Sequence, residues 1–372
     1  MTRSSTDTTS PAAVRAEHSP VQRAGAARVA SERRVASTAV VLGGLAAALA
    51  AIVLLGLALG AVPLAPARVF SALARWASGG ATTTLDSVII DVRLPRVLLA
   101  ALVGACLGSA GALYQALFRN ALADPYILGV SSGAGLAATA TIIAGTALGV
   151  GLSAAWAFAV PVAAFVGALA TIAVVAALAA RSGRLDTSSL LLAGIAVSYT
   201  LAAATSLLMV LFRQSMTAVV YWMMGGLTTA GWPYVGIVSV MLAAGLALPL
   251  ASTRALDVIL LGDERASQLG VDVSRLKRLM LASASLLVAG AVAVSGLIGF
   301  VGLMTAHIIR LAFGPRHVLL LPASALGGAI LLVVADVVAR TVIAPVELPV
   351  GIVTAAFGGP FFLWLLVRGD AR

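Results

Sequence analysis

Few residues in this 372-residue chain can do chemistry, and their spacing argues against most enzyme classes. The one lysine, Lys277, stands in SRLKRL rather than behind a glycine-rich loop, so the chain has no Walker A site. His18, His307 and His317 are scattered, with no HExxH or Cys/His array, which argues against a metal-dependent enzyme. No GxSxG nucleophile elbow occurs. The single cysteine, Cys106, lies in an apolar run where packing is its role, and it can form neither an intrachain disulfide nor a cysteine metal cluster. Two constellations remain. Asp336 and Arg340, four apart in ADVVARTV, share one helix face as a structural ion pair or, less favoured, a proton relay. An unpaired charge in mid-membrane costs about 2.5 to 3.5 kcal/mol, which favours the pair. The second constellation is LLGDERASQLGVDVSRLKRL, Leu260 to Leu279, with seven charged residues in twenty where the whole chain is only 10% charged.

The elements that must position these residues follow from composition. A 61% hydrophobic chain with mean hydropathy +1.07 has more apolar surface than a soluble domain can bury, so it is a polytopic membrane protein. Its 24 basic against 14 acidic residues lie mostly between apolar runs, where they read as topology signals rather than a nucleic-acid surface. Residues 1–35 are polar and basic, and are expected to form a disordered cytoplasmic tail. A helical crossing needs roughly 20 apolar residues. Ten spans are expected, at 36–60, 94–117, 127–147, 154–180, 188–212, 233–252, 276–297, 299–314, 318–340 and 348–367. With the N-terminus inside, ten crossings place 18 of the 24 basic residues in the cytoplasm, whereas omitting the short eighth span leaves 15 there. Both termini and the charged stretch are then cytoplasmic. Gly104, Gly108 and Gly111, and Gly129 with Gly133, have the spacing that lets helix backbones approach within one chain.

Inside the charged stretch, Gly262 and Asp263 can start a short helix, acidic Asp263 and Glu264 suit its N-terminal dipole, and Gly270 can end it. Asp272 or Ser274 can cap the next helix, leaving Arg275, Lys277 and Arg278 as anchors at the inner boundary. A membrane-surface helix would be mainly cationic with a wide apolar face. This one is short and of mixed sign, so a protein partner is favoured over a solvated connector.

Six segments, in order, carry a resemblance: RLPRVLLAALVGACLGSAGALYQALFRNALADPYILGVSSGAGL (93–135), LLLAGIAVS (190–198), YWMMGGLTTAGW (221–232), LGDERASQLGV (261–271), GFVGLMTAHIIRL (299–311) and ELPVGIVTAAFGGPFFLWLL (347–366). The chain resembles the FecCD-type permeases, membrane subunits of ATP-driven importers for ferric siderophores, haem and cobalamin. The resemblance implies an all-α polytopic membrane protein of about ten transmembrane helices with the type II ABC importer permease fold. It would form a single permease domain, 36–372, with a cytoplasmic coupling loop at 254–278, in the bacterial cytoplasmic membrane. The resemblance makes Asp263, Glu264, Arg265, Gln268 and Gly270 the candidates for coupling to a separate ABC ATPase, which would hold ATP and Mg; this chain would bind no cofactor or metal itself. Arg93, Arg96 and Arg340 match arginines that dock the extracytoplasmic substrate-binding protein; read from the residues alone, Arg93 and Arg96 are interfacial snorkellers and Arg340 is the partner of Asp336. Thr187 and Ser188 match the inner gate, with helix capping as the alternative. A second permease subunit, identical or paralogous, would close a central pathway for which Met216, Met223 and Met224 are candidate lining residues, core packing being equally open to them.

Two positions depart from the family pattern: Ala121 and Ala306 stand where proline is usual, so both cytoplasmic turns are expected to be less rigid. The family also relates spans two to five and seven to ten as inverted repeats. The expected cargo is an iron–siderophore complex, with haem or cobalamin as alternatives and a proton-coupled secondary transporter as the rival from another class.

Overall fold

The computed structural model describes residues 20–60, 62–80, 83–150, 154–180 and 186–368. All regular structure among them is helical, as lipid demands of a backbone that must satisfy its own hydrogen bonds. The α-helices are α1 (Pro20–Ala58), α2 (Pro66–Ala77), α3 (Thr84–Ser87), α4 (Leu94–Phe118), α5 (Val130–Ala147), α6 (Ala154–Ala179), α7 (Thr187–Leu211), α8 (Met216–Met223), α9 (Trp232–Ala251), α10 (Thr253–Ile259), α11 (Asp263–Gln268), α12 (Val273–Ser295), α13 (Val301–Phe313), α14 (His317–Thr341) and α15 (Val350–Arg368). A π-helical turn, Val88–Arg93, feeds α4.

Eight helical segments are long and apolar enough to cross a membrane, and α13 and Val350–Leu365 of α15 are shorter apolar helices. Each of the ten expected spans therefore has its helix, with one change of character. At 13 residues, α13 is only about 20 Å long against a hydrocarbon layer about 30 Å thick, and the non-helical stretch 296–300 leads into it. Ala306 lies buried in the interior of α13, not in a turn; with alanine in place of proline the helix runs through unbroken. Helix α1 begins at Pro20, so residues 20–35 are helical where a disordered tail was expected. Their alanines and arginines are strong helix formers, and proline suits a first turn. The expected tail residues 1–19 lie outside the described residues.

Helix α4 is the central post, buried along nearly its whole length and packed by α9, α12, α13 and α14. Glycines set those approaches. A Cβ on Gly104 would fall 2.2 Å from the carbonyl oxygen of Gly328 on α14, and one on Gly111 would fall 2.2 Å from that of Gly302 on α13. The α5–α6 contact is built the same way, since Gly133 and Gly167 each face the other's carbonyl. At one end of the bundle three backbones meet without side chains between them. Gly225 and Gly296 adopt positive φ, the Gly226 N–H donates to Ser295 O at 2.8 Å, and Gly351 approaches Met224 O.

These contacts predict that Gly104→Ala lowers stability by about 1 to 3 kcal/mol, the usual cost of overpacking. Gly43→Ala, on α1 with open space around it, should be neutral or stabilise by about 0.5 to 1 kcal/mol. Thermal unfolding of the two detergent-solubilised variants checks the contrast.

Candidate functional site

The charged stretch folds as its residues dictate. Gly262, at φ +105°, turns the chain into α11, and Gly270, at φ +82°, lets the Val271 N–H return to Ala266 O at 3.0 Å and close the helix. Asp272 then caps α12 by accepting from the Arg275 N–H at 2.9 Å. The residues expected to meet a partner separate into two sets. Glu264, Arg265, Gln268 and Gly270 are exposed, whereas Asp263 is half-buried and engaged with other helices. Its carboxylate is paired with Lys277 on α12 and, at 3.2 Å, with Arg119, which ends α4 at φ +47°. Lys277 is thus no boundary anchor. It is 5% exposed, while Arg275 and Arg278 face outward and keep that role.

Sequence reasoning passed over three neighbours. Leu261 and Leu269 are exposed at the two ends of α11, Leu269 at 63%, and apolar residues on so polar a helix were the signal available. Asp257 on α10 is the third. It accepts the backbone N–H of His317 at 2.8 Å, and His317 Nδ1 lies 2.7 Å from the same oxygen, pinning α10 to the start of α14. Burial pushes the Asp257 carboxyl up, but these hydrogen bonds outweigh it and leave the group below the usual carboxylate range. The platform under α11 is therefore fixed at α4, α12 and α14.

Near this platform α7 starts. Asp186 caps it by accepting from the Ser189 N–H at 3.0 Å, an interaction that leads in holding its carboxyl low. The capping role considered for Thr187 and Ser188 thus falls to Asp186. Thr187 is half-buried and Ser188 exposed at the mouth of the helix.

The opposite face of the bundle carries the three arginines. Arg96 pairs with Asp336 at 3.0 Å and with Glu347 at 2.8 Å, and Arg340 approaches the other Asp336 oxygen at 2.9 Å. Asp336 is 0% exposed and Arg340 5%. A buried carboxylate held between two guanidiniums has the geometry of a structural ion-pair centre, the reading that the i, i+4 spacing favoured over a proton relay. Arg93 donates to Leu57 O at 2.8 Å and Val62 O at 2.6 Å, and Arg340 to Leu59 O and Gly56 O, both at 3.2 Å. Together they clamp the end of α1. Beside this network opens a cavity of about 970 Å³, walled by Trp156, Tyr221, Trp222 and Tyr234 with Arg96 and Glu347 at its edge. Met216, Met223 and Met224 do not line it, although Met216 and Met224 are exposed nearby in sequence.

A family model described as the FecCD transport family matches residues 48–368. The chain belongs to this family. It is 45% identical over 293 residues to the cobalamin import system permease protein BtuC of Halobacterium salinarum, covering 79% of this chain and 77% of that one. It is 39% identical over 321 residues to the Fe(3+) dicitrate transport system permease protein FecD of Escherichia coli, covering 86% and 96%. Among solved structures, an inward-facing metal-chelate type ABC transporter matches with TM-score 0.76 at 31% identity, over 88% of this chain and 98% of the other. The FecCD membership makes the helical bundle a transmembrane ABC permease, and the six segments singled out in the sequence fall within the matched residues.

Arg96→Met should destabilise this FecCD chain by about 3 kcal/mol, because it strips one cation from a carboxylate that has no access to water. Adding Asp336→Leu to that variant should deepen the loss, because Arg340 is then left buried without its carboxylate; thermal stability in detergent reads both changes.

Proposed function

We propose that this chain is the membrane-spanning subunit of a binding-protein-dependent importer that carries an iron–siderophore complex inward, using ATP hydrolysed with Mg on a separate ABC ATPase. The observation that carries this reading is α11: its root is fastened by Asp263 to the core while Glu264, Arg265, Gln268 and Leu269 stand free. A helix so fixed and so exposed suits transmission of force from a partner, and the chain has no Walker lysine with which to hydrolyse ATP itself.

The α11 face is then cytoplasmic and carries both termini, as the distribution of basic residues favours. The face with Arg93, Arg96 and Arg340 is external and receives the substrate-binding protein. Arg96 suits docking best of the three, since one of its two acid partners, Glu347, is exposed to exchange with an acidic residue of the incoming protein. Helix α7 supports a second permease subunit: Leu192 and Tyr199 are more than two-thirds exposed, and a membrane helix with so bare a face suits a pathway shared by two copies. Thr187 and Ser188 would gate its inner end.

For the cargo, a relative named for ferric dicitrate and a solved transporter of metal-chelate type support an iron chelate. The relative named for cobalamin favours that ligand as the second reading.

Uptake by vesicles holding the full complex tests both. ATP without an ion gradient should drive accumulation of ferric siderophore; uptake that follows a proton gradient and ignores ATP overturns the importer, and accumulation of cobalamin alone overturns the cargo. Glu264→Arg should weaken ATPase association at least about tenfold, since opposed like charges cost several kcal/mol at an interface, with membrane insertion intact. Undiminished co-purification of the ATPase with normal uptake would remove Glu264 from the docking surface.

A further inference from the structure

The cavity beside the Arg96 network has walls whose chemistry narrows the cargo. Gly225, Gly226 and Gly296 line it where backbones meet without side chains between them, so that wall stays thin and the space behind it open. Around the rest stand Trp156, Tyr221, Trp222 and Tyr234, with Phe158 5.3 Å from the Tyr234 ring. Thr228 and Thr229 add exposed hydroxyls that can donate or accept. At about 970 Å³ the cavity is the size of a site for a whole small molecule. Helix α7, with its bare face, contributes none of its described residues to it.

Charge decides what such a space takes. Among the described residues that line it, Arg96 is the one cation and Glu347 the one anion, and they are paired with each other at 2.8 Å. The other partner of Arg96 is buried Asp336, which Arg340 also balances. The four charges cancel, and no guanidinium is left over for a ligand. Arg93 spends its donors on carbonyls at the end of α1 and does not line the cavity. An anion would have to pass an exposed carboxylate and enter a space walled by the negative faces of aromatic rings, with no free cation to replace its hydration. An uncharged ligand with an apolar exterior meets neither cost.

We propose that this cavity is a cargo-binding site contained within the single permease chain, and that the cargo it takes is an uncharged chelate of apolar exterior, as when three hydroxamates balance Fe(III), rather than a carboxylate- or catecholate-rich anion. This rests on the reading of the chain as an iron-chelate importer.

The experiment holds the permease and its ATPase in nanodiscs without binding protein. Equilibrium dialysis measures the binding of two radioiron chelates, an uncharged cyclic trihydroxamate and an anionic hexadentate tris-catecholate. The trihydroxamate should bind at least about tenfold more tightly, since like charge opposes the other. Ala218→Trp, which sets a large ring on an exposed lining position of α8, should abolish that binding while the complex stays intact on gel filtration. Glu347→Gln, which leaves a net positive charge at the mouth, should narrow the preference several-fold by admitting the anion. Absent binding, equal binding of the two chelates, tighter binding of the anion, a preference unmoved by Glu347→Gln, or binding that survives Ala218→Trp each overturns the site. Uptake by the same complex with its binding protein separates this from the importer reading. ATP-driven uptake without binding in the cavity overturns the site alone, whereas binding with no ATP-driven uptake of any iron chelate overturns the importer reading and the assignment of the bound chelate as cargo.

Discussion

Where α4 crosses α14, peptide meets peptide. The Gly104 and Gly328 backbones lie so close that a single methyl on either would enter the carbonyl of the other, and dispersion between tightly apposed backbones is what binds helices when lipid offers no hydrophobic drive. Much else depends on that spacing. Arg96 precedes Gly104 by eight residues and Asp336 follows Gly328 by eight, so two antiparallel helices crossing at these glycines deliver the two charges to one place. Side chains at the crossing would separate the helices and pull Arg96 away from Asp336.

Both charge clusters are thereby mounted on one helix. Arg96 stands at the start of α4 and Arg119 at its end, each reaching a carboxylate that also serves another cation: Asp336 with Arg340, Asp263 with Lys277. The post is rigid because it is buried on every side, and what is fastened to its ends keeps its orientation.

Much of this was legible in the chain itself. Apolar run length located the ten segments, because the thickness of a bilayer fixes how long a spanning helix must be; glycine spacing located the crossings; and Gly262, Gly270 and Asp272 marked α11 and the cap of α12, because turn and cap chemistry is local. What stayed hidden was set by distant partners. Nothing adjacent to Lys277 shows that it points inward while Arg275 and Arg278 do not, since that is decided by its pairing with Asp263 on α11. Glu347 drew no notice in ELPVG because its cation lies 251 residues away. The eighth span was already short in the sequence, but where its helix starts was not legible, because the apolar run continues through the non-helical approach at 296–300, where hydropathy persists and helix does not.

The sequence distance between Arg96 and Asp336 also has a bearing on biogenesis. They are 240 residues apart, and a ribosome adding about 5 to 20 residues per second needs roughly 10 to 50 s to make the second after the first. For that interval α4 is in the membrane with a cation whose counter-ion has not been synthesised, its guanidinium near the helix end where it can remain at the headgroups. The central crossing of the finished bundle is consequently among the last to close during translation. A nascent chain stopped before α14 would carry an unneutralised arginine, a mark by which quality control could tell an incomplete permease from a complete one.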